Sequence, residues 1–151
     1  MTKPTTFLLV DDDIDDSSLF EEILHEVDPT VKFVNAPDGQ AALDLLRKSN
    51  GNLPDLIFLD LNMPKMDGKQ CLLELKADAG LAKIPVIMYT TSSQSRDIEQ
   101  TMMHGAICFI TKPTDIRELR NIITSITRNI HKNLESTLKS LSNSSNTFIV
   151  C

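Results

Sequence analysis

The sequence predicts an α/β fold, a five-stranded parallel sheet with helices on both faces, on three observations. Short apolar runs alternate with longer segments of helical period, five times along the chain. The third run, Asp55 to Asp60 (DLIFLD), is apolar almost throughout, as befits a central strand covered on both faces. Turn residues such as Pro37-Asp38-Gly39 and Ser49-Asn50-Gly51 fall between the runs and the periodic segments.

Thr6 to Val10 (TFLLV) reads as the first strand, followed by a helix from about Asp15 to Val27 with Leu19, Ile23, Leu24 and Val27 inward. Val31 to Val34 is the second strand, and the helix after it turns Ala42, Leu45 and Leu46 to the core. The third strand, Asp55 to Asp60, leads into a helix from about Lys69 to Asp78 with Leu72 and Leu75 inward. Pro85 opens the fourth strand (PVIMYT), where a missing N–H is tolerated. Its helix carries Ile98 and Met102 and is capped by Gly105. Ile107 to Ile110 is the fifth strand. The fifth helix starts at an Asp115 N-cap with Ile116, Leu119, Ile123, Ile126 and Ile130 on one face. The same spacing continues through Leu134, Leu138 and Leu141, so the fifth helix is expected to run on through them. That stripe suits a dimer or partner interface and equally a helix lying on its own domain. Ser142 to Thr147 (SNSSNT) reads as a flexible linker before the apolar Phe148-Ile149-Val150-Cys151, a docking strand or an adhesive tail.

At 151 residues, with 24% charged and 41% hydrophobic residues, the chain is sized and composed as one globular domain. A net charge of −6 argues against nucleic-acid binding, and no apolar run approaches the roughly 20 residues of a membrane span. The start lacks a secretory signal, so a cytoplasmic location is expected. Cys71, Cys108 and Cys151 form no CxxC pair and read as reduced thiols. His25, His104 and His131 are isolated.

In an open parallel sheet the ligand site lies beyond the carboxyl ends of the strands. Strand one ends in Asp11-Asp12-Asp13, strand three in Asp60 and strand four in Thr90, and Lys112 follows strand five. Crowded carboxylates repel unless they share a cation or proton, and all-oxygen ligands select a hard ion such as Mg²⁺. Such a site suits phosphate chemistry: a carboxylate can act as nucleophile and become an aspartyl phosphate. Thr90 could donate to a phosphoryl oxygen and Lys112 offset its charge. The competing readings are helix caps for Asp11 and Asp12, a capping carboxylate for Asp60, a surface lysine for Lys112, a strand residue for Thr90 and plain packing for Phe109. Asp13, Asp15 and Asp16 are read as caps of the first helix. Met63-Pro64 and Asp67-Gly68 shape the loop after Asp60.

LLVDDD at 8–13, FLDLNMPKMDG at 58–68, IPVIMYT at 84–90 and ITKP at 110–113 together resemble the receiver domains of two-component response regulators, which have the CheY-like, flavodoxin-like fold. The resemblance covers residues 5–130 and leaves 131–151 as a C-terminal helical extension and tail. It implies that Asp60 is the phosphoacceptor. Asp12 would be a direct Mg²⁺ ligand, Asp11 a ligand through water, and Asn62 a ligand through its backbone carbonyl. Thr90 would be the switch hydroxyl, Lys112 the phosphate-binding lysine and Phe109 the aromatic whose rotamer follows the switch. A cis Lys112–Pro113 bond is implied as well. Two positions depart from the pattern. Thr91 replaces a small residue and narrows access to the acyl phosphate, and Phe109 lacks the hydroxyl of the commoner Tyr.

The function so implied is a stand-alone phosphoacceptor switch, not an enzyme beyond its own phosphorylation and dephosphorylation. A sensor histidine kinase or histidine phosphotransfer protein would donate, and the output would be a changed contact with a downstream protein. A homodimer through the fourth helix, fifth strand and fifth helix, or through the extension, is left open. So is service as an intermediate in a multistep phosphorelay. An aspartyl-nucleophile phosphohydrolase is disfavoured because that class needs a carboxylate where this chain has Asn62. The LVDDD-x-DD opening and Thr90-Thr91-Ser92 are similar to single-domain receivers serving phytochrome-type kinases.

Overall fold

Five parallel strands, β1 (Thr6–Val10), β2 (Lys32–Ala36), β3 (Leu56–Leu59), β4 (Val86–Thr90) and β5 (Cys108–Thr111), form the sheet in the order β2-β1-β3-β4-β5, and a sixth, antiparallel strand adds to its β5 edge. The computed structural model describes residues 3–151. The sixth strand is β6 (Ile149–Val150). The helices are α1 (Ile14–Val27), α2 (Gly39–Arg47), α3 (Gly68–Ala77), α4 (Ser95–Met103), α5 (Ile116–Asn129) and α6 (Leu134–Ser144).

Alternation along each strand divides the core into two layers. Phe7 and Leu9 of β1 with Phe58 of β3 face α1, α5 and α6, while Leu8, Val10 and Leu59 face α2, α3 and α4. Two-sided burial is why the strands read as continuous apolar runs. Asp13, Asp38, Asp67 and Asp115 cap α1, α2, α3 and α5, each accepting a backbone N–H of the first turn. Gly105 ends α4 with φ +108°, a conformation that excludes most other residues.

Several expectations need correction. The parallel sheet of five strands is present, but the full sheet has six, because the segment after α6 returns and pairs with β5. Helix five does not run on: α5 stops at Asn129, whose carbonyl accepts the N–H groups of Lys132 and Asn133, both at 3.1 Å, and α6 starts afresh. A straight continuation would carry Leu134, Leu138 and Leu141 away from the sheet. The turn instead brings Leu138 and Leu141 into the core layer beside α5, which offsets the broken helix through apolar burial.

The SNSSNT stretch is no linker either. Ser142–Ser144 belong to α6, and the Ser145 and Thr147 hydroxyls donate to Glu118 Oε2 at 2.7 and 3.3 Å. Leu45 points outward and Leu43 takes its place in the core; Ile116 is likewise exposed and Ile122 buried. Among the described residues every peptide bond is trans, including Lys112–Pro113, the isomer that local energetics favour even before proline.

Candidate functional site

Register decides which strand-end residues meet. Val10 pairs with Leu59, so Asp11 and Asp60, each the next residue, leave the sheet side by side. The Asp60 N–H donates to Val10 O at 3.0 Å and the Asp11 N–H to Ala36 O at 2.9 Å, fixing both backbones. Thr90 pairs with Thr111, and the Lys112 N–H donates to Thr90 O at 2.6 Å. Four strand ends thereby deliver Asp11, Asp12, Asp60, Thr90 and Lys112 to one rim of the sheet.

Asp11, Asp12 and Asp60 each place one carboxylate oxygen so that all three lie within 4.8 Å of one another. Asp11 and Asp60 are buried and Asp12 is exposed, so the cluster opens to solvent on one side. Lys112 Nζ answers this charge, standing 2.7 Å from Asp11 Oδ2 and 3.9 Å from Asp60 Oδ2. Its charged end also lies over the Tyr89 ring, 5.6 Å from the centroid. Burial pushes the Asp11 carboxyl above its ordinary range, against the pull of hydrogen bonds from Lys112 and the Asp13 N–H. For Lys112 burial is the largest single influence and acts downward, but the hydrogen bonds to Asp11 and Asp16 and the negative charges of Asp11 and Asp60 together outweigh it and hold the ammonium above its usual value.

Asp60 keeps one oxygen occupied, Oδ1 accepting the Leu61 N–H at 2.8 Å. The Thr90 hydroxyl is fully buried and has no hydrogen-bond partner. A buried, unsatisfied hydroxyl costs roughly 1–3 kcal/mol, a cost that an acceptor arriving at the rim would relieve. The loop after Asp60 is held close: the Gly68 N–H donates to Leu61 O at 2.8 Å, and a Cβ at Gly68 would lie 2.0 Å from Asp60 O. Only glycine lets α3 start so near the Asp60 backbone.

Two further residues were expected at the site. Asn62 is exposed in the loop after Asp60. Phe109 is fully buried in the layer facing α2, α3 and α4, with Val150 packed against that layer. Sequence reasoning also missed three features. Asp16 does not cap α1; its Oδ2 pairs with Lys112 Nζ at 2.7 Å. Lys69 Nζ bridges to Asp97 Oδ1 at 2.7 Å, Ser92 Oγ donates to Asp97 Oδ2 at 2.6 Å, and Thr111 Oγ1 donates to Ser92 O at 2.8 Å. This chain of contacts ties α3 to α4 and to the loop after Thr90. The expected free thiols at 108 and 151 are instead a disulfide, Cys71 alone being free. Apart from Ser92 with Asp97, five residues on, these pairs join residues far apart in sequence and so carry no local signal.

The carboxylates, the buried hydroxyl and the lysine form a set of hard oxygen donors beside a fixed positive charge, which fits a small divalent cation and a phosphoryl group. The sequence model of the response regulator receiver domain matches residues 7–124. Response regulator Rcp1 of Synechocystis is 34% identical over 127 residues, covering 82% of this chain and 86% of that protein. Among solved structures, the phosphorylated cyanobacterial phytochrome response regulator RcpA superposes with a TM-score of 0.77 at 35% identity, over 83% of this chain and 93% of that one. The Mn²⁺-bound form of Rcp1 gives 0.76 at 32% identity, over 86% and 96%.

Proposed function

Because the chain belongs to the response regulator receiver domains, a family of phosphoacceptor switches, we propose that Asp60 is its acceptor and Mg²⁺ its cofactor. The observation that carries this reading is the register-fixed meeting of Asp11, Asp12 and Asp60 with Lys112 at one sheet rim. A free Asp60 oxygen attacks the phosphorus of a phosphohistidine on a sensor kinase or phosphotransfer protein. The new O–P bond forms as the N–P bond breaks, and the imidazole leaves with its electron pair and takes up a proton. Lys112 offsets charge on the transferred oxygens, and the Thr90 hydroxyl finds in one of them the acceptor it lacks. Asp11, Asp12, Asp60 and the Asn62 carbonyl would hold the ion, which supplies neutralisation of the phosphoryl charge.

Drawing Thr90 towards the phosphoryl group moves the loop tied to Ser92 and Asp97, and through it α4. The output is then a changed contact with a downstream protein on the face of α4, β5 and α5. That face also suits a homodimer, although β6 now covers the outer edge of β5. Residues 5–130 serve as the receiver unit, with 131–151 an added element packed on it. No helix among the described residues is long and apolar enough to cross a membrane, and we place the protein in the cytoplasm. A relay intermediate and an aspartyl phosphohydrolase are not favoured; Asn62 carries no acid for the second. Mixing the chain with a small acyl phosphate and Mg²⁺ should add one phosphoryl group by intact mass to the native protein and none to Asp60→Asn. Equal labelling of the variant would refute the assignment.

A further inference from the structure

Cys108 and Cys151 are 43 residues apart and belong to no motif, yet β6 makes them neighbours. Ile110 faces Ile149 and Phe109 faces Val150, so the next facing pair is Cys108 with Cys151. The Thr111 N–H donates to Phe148 O at 3.0 Å. Hydrogen-bonded and non-hydrogen-bonded pairs alternate in an antiparallel ladder, which leaves Cys108 and Cys151 at a position where facing side chains come closest. Their Cα atoms lie 4.2 Å apart and the sulfurs are bonded. The third cysteine differs in kind: Cys71 is buried, with burial first among the causes pushing its thiol up to about 12, so it is unreactive.

The two bonded sulfurs are unequal. Cys108 is fully buried and Cys151 is exposed, so a thiolate from solution reaches Cys151. Beyond the disulfide the segment is held by a two-residue strand, the buried Ile149 and two hydroxyls on Glu118. Short antiparallel pairing of this kind is weak by itself, and an edge strand released from its partner presents unpaired backbone groups.

We propose that Cys108–Cys151 is a thiol–disulfide exchange site that latches residues 145–151 over the outer edge of β5, and that a low-molecular-weight thiol unlatches it. The attacking thiolate forms a bond to Cys151 Sγ while the Cys108–Cys151 bond breaks, its electron pair passing to Cys108 Sγ, which takes a proton. A second thiolate displaces Cys151 from the mixed disulfide. The protein gains two thiols and two molecules of the small thiol become its disulfide; the reverse step uses that disulfide as oxidant. Such exchange is the usual role of a disulfide in a reducing compartment. The latch holds Val150 against the layer containing Phe109. Its bearing on signalling rests on the reading of Phe109 and the α4, β5 and α5 face given above, whereas the exchange itself does not.

The test uses the full chain equilibrated with glutathione and its disulfide at varied ratios. Native-state alkylation read by mass should show Cys151 blocked in the oxidised form and alkylated in the reduced one. Amide exchange at Thr111 and in residues 147–151 should quicken at least ten-fold on reduction, and Cys151→Ser should show the fast exchange at every ratio. The Asp60→Asn variant should behave as the native chain does, which keeps this result separate from the acceptor assignment. Failure of the disulfide to form with excess glutathione disulfide, or exchange at Thr111 indifferent to reduction, would overturn the proposal.

Discussion

Gly68→Ala tests whether the geometry around Asp60 depends on the close start of α3. The added Cβ would lie 2.0 Å from Asp60 O and 2.8 Å from both Asp60 C and Leu61 Cα, where ordinary contact begins at 3.4 Å. The worst overlap is therefore about 1.4 Å, and every atom it meets is backbone, so no side-chain rotamer relieves it. Either α3 withdraws, losing the Gly68 N–H to Leu61 O bond, or the Asp60 backbone shifts against Val10. Overpacking of this size costs about 3 kcal/mol, a large share of the roughly 5–15 kcal/mol that holds a domain of this kind folded. A reacting group displaced by about 1 Å loses on the order of 10²-fold in rate. Urea unfolding should show a lower midpoint with unchanged slope, and labelling by acyl phosphate should slow by about that factor. Gly80→Ala, whose Cβ meets only Asp78 Oδ1 at 3.4 Å, is the control and should stay within about 0.5 kcal/mol of the native chain. Equal stability and labelling for Gly68→Ala would show that this approach does not position Asp60.

Lys112→Met should destabilise the fold by about 3 kcal/mol, since it leaves the buried Asp11 without its counter-ion; a change below about 1 kcal/mol in urea would contradict that pairing. Mg²⁺ should stabilise the folded chain by binding it, by about 2.7 kcal/mol at a hundred-fold excess over its dissociation constant, read as a shift to a higher melting temperature. Asp12→Ala should remove most of that shift, and a shift kept intact would place the ion elsewhere. Asp97 gives a pH signature. The hydrogen bonds from Lys69 and then Ser92 hold its carboxyl below the ordinary 3.8. The stability it contributes is therefore complete above that value and is lost as pH falls from there through the lowered folded value. Asp97→Asn should flatten this acid limb by up to about 1 kcal/mol, the modest size set by partial exposure of both partners, and identical acid profiles would show the pair to be inert.

What the sequence by itself determined was local. The five parallel strands were legible because two-sided burial writes the central ones as apolar runs, and the rim because acidic, hydroxyl and basic residues end β1, β3 and β4 and follow β5, whereas the order of the strands in the sheet came from the structure. Asp11, Asp12, Asp60, Thr90 and Lys112 could thus be placed together from topology alone. Helix boundaries moved by a residue or two, and Leu45 exchanged places with Leu43, since both satisfy a helical stripe and only the angle at which α2 meets the sheet selects one. Everything after Asn129 was decided by tertiary structure. The period running from Ile126 to Leu141 is the same for one long helix and for two that fold back, and apolar burial against α5 chose the second. The pairing of Lys112 with Asp11 and Asp16 and of Asp97 with Lys69, and the meeting of Cys108 with Cys151, depend on how elements far apart in the chain come together. Such contacts leave no local pattern, because neither residue's neighbours in sequence are its neighbours in space.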